Sequence, residues 1–369
     1  MIMVKNLKPF MNIGPGDILQ EELDARGWRQ EDLAEILGMS LKSVNQLIKN
    51  KQSITIETAK LLGSAFDVSP QFWLNLDTNY RLRLQNNGNT QKDVEIKSLI
   101  YSYMPVKEMV EKGWLDKWNS TNELIGQVKD FWDIKKLDFS FLEKTQLPSL
   151  RKSDAYRQFN KYYALTWFKM AQHGAKKFTV PKYSRKKLET VTKQFHRYTM
   201  LKTGVTNLIN DLNNVGIKFF VLPHLQKTYI DGASFWDKSN PVIVYTMRYD
   251  RIDNFWFTVA HEIGHIEKHL KNKSDFFIDN LDYITTDKEK EANEYASLLL
   301  KVQEILEYFA PYEKYVSEVR VVNCSIELGV HPAVIVGVLQ HYEKLPRRNL
   351  NRLKEAVSDK IPNKYMLDD

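Results

Sequence analysis

Residues 255–270 read FWFTVAHEIGHIEKHL. Apolar positions recur at helical spacing through this stretch, with two histidines four residues apart inside it. Four residues of helix advance about 400°, so His261 and His265 lie one turn apart on one face, where both imidazoles can share one Zn2+. Glu262, adjacent to the first, can reach water at such an ion as a general base. A chain with 8 His among 369 residues produces this His-Glu-x-x-His spacing by chance only ~0.01 times. His269 extends the spacing by four, but helical drift turns it about 80° from His261, which predicts a structural or rim role.

The flanks suit this reading. Upstream, residues 218–222, 232–236 and 241–247 are rich in β-branched and aromatic side chains and read as strands, the last two joined by a turn at 237–240. Downstream, Thr286 and Glu289 make a capping box that opens an acidic helix. With Glu289 used in capping, Glu291 is the expected third ligand, and Glu294 and Glu289 are the alternatives. Tyr283, His331 and His341 are candidates for stabilising an oxyanion.

The first ninety residues differ in kind. Five short helical patterns follow one another, over 16–26, 30–37, 41–49, from 55 or 56, and from 70. Gly27 and Gly38 stop the first two, Ser40 caps the third, and Pro70 opens the fifth. The second and third are joined by about three residues, which is helix-turn-helix length. Val44 and Leu47 face inward from the third. Ser40, Lys42, Ser43, Asn45, Gln46 and Lys49 are left toward a groove or solvent, and Asn, Gln and Lys are side chains that read base edges or reach phosphate.

The whole chain is 369 residues with 43% apolar and 27% charged residues, a globular composition that argues against disorder. One cysteine, Cys324, excludes a disulfide framework and a cysteine-only zinc site. The N-terminus has no apolar signal-peptide core, and the longest uncharged apolar run near the C-terminus, residues 329–342, is too short to span a bilayer, so a soluble cytoplasmic protein without membrane contact is expected. The net charge of +7 is uneven: residues 1–90 are neutral, 91–200 carry +10 and 201–369 carry −3. Between Arg151 and Arg197 there are 13 basic residues and 2 acids. The same middle region is dense in aromatics, most simply as core packing between helices, while its charge makes a nucleic-acid backbone or an acidic partner plausible.

Two resemblances sharpen these readings. Gly14-Pro15-Gly16-Asp17-Ile18-Leu19, the Gln30/Ala34/Gly38/Val44/Leu47 spacing, Ile54-Thr55-Ile56-Glu57-Thr58-Ala59 and Phe72-Trp73-Leu74-Asn75-Leu76 resemble the HigA antitoxin branch of the XRE (Cro/C1-type) helix-turn-helix family. That implies a homodimer bound to double-stranded operator DNA, with residues 41–49 as recognition helix and a HigB-like toxin as a partner. Gly232-Ala233-Ser234-Phe235, Pro241-Val242-Ile243-Val244, Phe257 through His265 and Glu291-Ala292-Asn293-Glu294-Tyr295-Ala296 resemble the ImmA/IrrE metallopeptidases. That implies a Zn2+ peptidase with His261, His265 and Glu291 as ligands and Glu262 as base, acting on a helix-turn-helix repressor. The expectation is a mostly α protein with a small α+β domain. It has a five-helix DNA-binding bundle over 1–84, a basic, aromatic helical connector over 85–200, a zincin-like metallopeptidase fold over 201–345 and a C-terminal tail over 346–369. Functionally it is expected to be a DNA-binding regulator that cleaves a protein partner or itself near residues 85–91. The alternative is a HigA-type antitoxin that binds DNA and toxin without proteolysis.

Overall fold

The computed structural model describes residues 12–84, 88–145, 159–279, 286–312 and 315–367. The chain divides into two compact units, Met1–Glu95 and Ile96–Asp369.

The first unit holds α1 (Pro15–Arg26), α2 (Gln30–Leu37), α3 (Leu41–Ile48), α4 (Ile56–Phe66) and α5 (Pro70–Leu84). Local chemistry sets each boundary. Gly38 ends α2 in the left-handed region at φ 62°, which makes the tight turn into α3 possible. The Ser40 and Thr55 hydroxyls accept from the backbone N–H groups of Ser43 and Thr58 and so open α3 and α4. Leu19, Leu23, Leu33, Val44, Leu47, Leu62 and Trp73 are buried together as the core.

The chain passes into the second unit within α6 (Gly88–Tyr103), followed by α7 (Val106–Glu111), α8 (Thr121–Trp132) and α9 (Ser140–Lys144). These share an apolar cluster around Ile100, Met104, Leu124, Val128 and Phe139. Then follow α10 (Lys161–Ala175), α11 (Arg185–Thr192), α12 (Phe195–Met200), α13 (Gly204–Val215), β1 (Lys218–Val221), β2 (Gly232–Asp237) and β3 (Asn240–Tyr245). After them come α14 (Ile252–Lys268), β4 (Phe276–Asp279), α15 (Asp287–Leu299), α16 (Val302–Phe309), α17 (Glu318–Leu328) and α18 (Pro332–His341). The sheet order is β1-β3-β2-β4, with β1 parallel to β3 and the other pairs antiparallel. Alternate residues divide between its faces, as strand geometry requires. Phe219, Val221, Ile243 and Tyr245 join the core that contains α13 and α14. Phe220, Val242, Val244 and Phe235 meet Ala164, Trp167 and Phe168 of α10.

Several boundaries differ from the sequence reading. The division falls within α6, at Glu95/Ile96, rather than after residue 84; residues 88–91 are helical, and 85–87 lie outside the described residues. The expected connector is no separate spacer, because α10 covers one face of the sheet. Trp167 is fully buried and its Nε1 donates to the Leu222 carbonyl at 3.3 Å, so its ring is core. Residues 346–367 are not a free tail. Val357, Ile361 and Tyr365 recur every four residues and are buried, and Leu367 N donates to the Val221 carbonyl of β1 at 2.9 Å. Part of the basic run is answered internally: Lys169 pairs with Asp133 at 2.8 Å and Arg185 with Glu267 at 3.1 Å. Residues 151–158 of that run and Tyr283 lie outside the described residues. Among the described residues no single helix is long and apolar enough to cross a membrane.

Candidate metal centre and nucleic-acid surface

α14 and α15 approach closely because Gly264 has no side chain. A Cβ there would lie 3.1 Å from Ala292 Cα and 3.2 Å from its carbonyl oxygen. This contact sets His261 and His265 of α14 against the first turn of α15. His261 Nε2 and His265 Nε2 are 3.0 Å apart, and Glu289 Oε2 lies 3.3 Å from the first and 3.7 Å from the second. All three residues are buried, and their ligand atoms fall within 4.8 Å of one another, so this group could hold a metal ion.

The outer nitrogens orient the two rings so that both Nε2 atoms face Glu289. His261 Nδ1 donates to Asn293 Oδ1 at 2.9 Å, which leaves a lone pair on its Nε2. On the other side Glu291 Oε2 accepts from His269 Nε2 at 3.1 Å. The His269 Nδ1 lone pair then accepts from His265 Nδ1, 3.0 Å away, and the His265 Nε2 lone pair also points inward. Burial pushes the His269 pKa down, and Glu291 opposes it.

The carboxylate that joins the two histidines in this group is Glu289, where Glu291 was the expected ligand. The cap uses the backbone N–H of Glu289, which donates to Thr286 Oγ1 at 3.3 Å, and the carboxylate turns inward to His261 and His265. Glu289, Ala292, Ala296 and Leu299 share the buried face of α15. Glu291 is about 200° round the helix from Glu289 and its side chain is 52% exposed. It serves as the outer partner of His269, which itself lies outside the trio. Glu294 is exposed. The small residues at 292 and 296 were the available sign that Glu289 faces inward.

Glu262 is fully buried. Its carboxylate rests against Gly232 of β2, where a methyl group would collide with Oε1 and come within 2.9 Å of Thr258 Cγ2. His331 is occupied elsewhere: its Nδ1 accepts from Ala333 N at 3.1 Å as the cap of α18. His341 lines a cavity beside α14. Cys324 is buried, which pushes its thiol up to about 12 and leaves it poorly suited to nucleophilic chemistry.

On the first unit, Ser40, Lys42, Gln46 and Lys49 are exposed on α3 and its flanks, while Ser43 and Asn45 are half-buried. Asn45 Nδ2 donates to Gln30 Oε1 at 3.0 Å, tying α3 to the first residue of α2. Gln30 was not among the expected surface residues. Its place at the start of the supporting helix is the only sequence sign of it. Ser40 Oγ also meets Ser43 Oγ at 2.9 Å, so the two hydroxyls serve the cap.

Comparison with known proteins finds the same two regions. A helix-turn-helix family model matches residues 19–73, and a model described as IrrE N-terminal-like domain matches residues 212–336. An uncharacterized HTH-type transcriptional regulator of Haemophilus influenzae is 38% identical over 81 residues, 21% of this chain and 76% of that protein. The HTH-type regulator YbaQ of Escherichia coli K12 is 35% identical over 96 residues, 26% of this chain and 85% of that protein. Among solved structures, Pseudomonas aeruginosa antitoxin HigA with higBA promoter is 34% identical, covering 22% of this chain and 90% of that one, with a TM-score of 0.21.

Proposed function

The chain belongs to the XRE-type helix-turn-helix regulators and carries an IrrE N-terminal-like domain, and from that premise we propose a cytoplasmic, operator-binding regulator whose second unit is a zinc-dependent endopeptidase. The observation that carries the peptidase reading is the buried trio of His261, His265 and Glu289, with both imidazole lone pairs turned inward by Asn293 and by the His269–Glu291 pair. Two nitrogens and one carboxylate oxygen are the donor set of a catalytic zinc site, which keeps a further position open. A zinc ion held there supplies Lewis-acid polarisation of a scissile carbonyl and makes water acidic enough to attack at neutral pH. Glu262 takes the proton of the attacking water and returns it to the leaving amine. Its burial against Gly232 holds the carboxylate in place for both transfers.

The first unit binds double-stranded operator DNA as a homodimer. Lys42, Gln46 and Lys49 reach the groove and backbone, and Gln30 holds Asn45 in register. Because residues 1–90 carry no net charge, phosphate neutralisation supplies little affinity and base reading carries more of it. The substrate is a protein partner, either a helix-turn-helix repressor or a HigB-like toxin-system component, or the chain itself near residues 85–91.

The test compares zinc-loaded wild type and Glu262→Gln by mass spectrometry, incubated with candidate partners. The variant is expected to keep zinc and operator binding and to lose all cleavage. Undiminished cleavage by Glu262→Gln overturns the mechanism. Co-purification of a small toxin with wild type, without cleavage of any partner, favours an antitoxin that acts by binding alone.

A further inference from the structure

A cavity of about 570 Å³ opens beside α14, α15 and α18 in the second unit. That volume suits a small organic ligand. It lies behind the metal-ligand trio: Asn293, whose Oδ1 accepts from His261 Nδ1 at 2.9 Å, lines it. Phe257, Leu300, Val334 and Val338 make an apolar wall.

Its polar wall is unbalanced. Lys354 Nζ lies 2.8 Å from Asp253 Oδ2, with side chains only 4% and 6% exposed. Arg251 Nη2 lies 3.0 Å from the same oxygen, and its Nε is 3.1 Å from Asp253 Oδ1. One carboxylate thus answers two cations. Arg347 adds a third cation at the lining, and Asp253 is the only acid among the described lining residues. Gln340 Oε1 accepts from Lys354 Nζ at 2.7 Å, which solvates the ammonium without neutralising it. Burial drives the Lys354 pKa down against the pull of Asp253. Surplus positive charge in a concave site, with Lys354 itself buried, focuses its field on an incoming anion.

We propose that this cavity is a binding site for a small organic anion, with its acidic group at Arg251, Lys354 and Arg347 and its apolar body on the Phe257–Val338 wall. An occupant that touches Asn293 acts on the residue that orients His261, so the site is placed to tune the metal centre. The binding claim itself does not depend on the peptidase reading.

Isothermal titration of the full-length protein with octanoate, adenosine monophosphate and octanol tests it. The first two carry an acidic group of different chemistry, and octanol keeps an apolar body without charge. Octanoate or adenosine monophosphate is expected to bind wild type, and octanol to bind at least about tenfold more weakly. Arg347→Ala, at an exposed position, is expected to weaken binding by about three- to fivefold. Ser297→Phe, which fills the cavity from α15, is expected to weaken it by at least about tenfold. Circular dichroism and melting confirm that both variants are folded. No binding of either anion to wild type overturns the proposal. So does octanol binding as tightly as octanoate, or unchanged affinity in both folded variants.

Discussion

In the first unit, the polar side chains that meet DNA in our account stand on the surface of a frame set by neighbours in sequence. In the second, the polar side chains of interest are buried and held by partners far along the chain. Ser40 caps its own helix and Gly38 turns the chain two residues earlier. His261, by contrast, depends on Asn293, thirty-two residues on, and Glu262 of α14 rests against Gly232 of strand β2. A locally specified frame tolerates change at its functional surface. A site assembled from distant elements is sensitive to any substitution that shifts one of them.

The largest expected effect probes whether the two frames are separable. Leu33 is fully buried in the first unit's own cluster. Leu33→Ala should cost about 2–5 kcal/mol of that unit's stability and abolish operator binding in a mobility-shift assay, while zinc content stays at the wild-type level. Loss of zinc in the same variant would break the comparison. The converse is Gly264→Val. A side chain there meets Ala292 Cα at 3.1 Å and should destabilise the second unit by about 1–3 kcal/mol in denaturant unfolding. It should also lower zinc affinity, with operator binding intact.

These differences also explain what the sequence makes legible. All five helices of the first unit start within a residue of their expected positions, because caps and left-handed glycines are local signals. β1, β2, β3 and α14 are equally readable from their apolar patterns. β4 escaped notice: its four residues, Phe276–Asp279, follow a polar stretch, and their strand character comes from pairing with β2. The role of α10 is hidden for the same reason, since nothing near Trp167 in sequence says that it will lie on a sheet whose first strand starts only at Lys218. At the candidate metal centre the His-Glu-x-x-His spacing is plain. The carboxylate found beside the histidines is Glu289 and not the expected Glu291, because a capping box spends only a backbone N–H and lets the side chain turn inward. Residues 346–367 read as a tail because their turns are short and irregular, yet the spacing of Val357, Ile361 and Tyr365 already marks an inward face.

The smallest expected effect lies at the exposed surface. Lys49→Ala should weaken binding about equally to operator and unrelated DNA and reduce the slope of log K against log salt by about 1. A changed preference among operator sequences, with the slope unaltered, would instead mean that Lys49 reads a base.

The central structural claim is that Glu289 completes the metal centre and Glu291 supports it from outside. Zinc affinity measured by chelator competition on wild type, Glu289→Gln and Glu291→Gln tests this most directly. The account predicts one tightly bound zinc in wild type, a loss greater than about 100-fold in Glu289→Gln, and a loss of about tenfold in Glu291→Gln, as expected for an outer partner. A reversed order, with Glu291→Gln losing the metal and Glu289→Gln retaining it, would contradict the account.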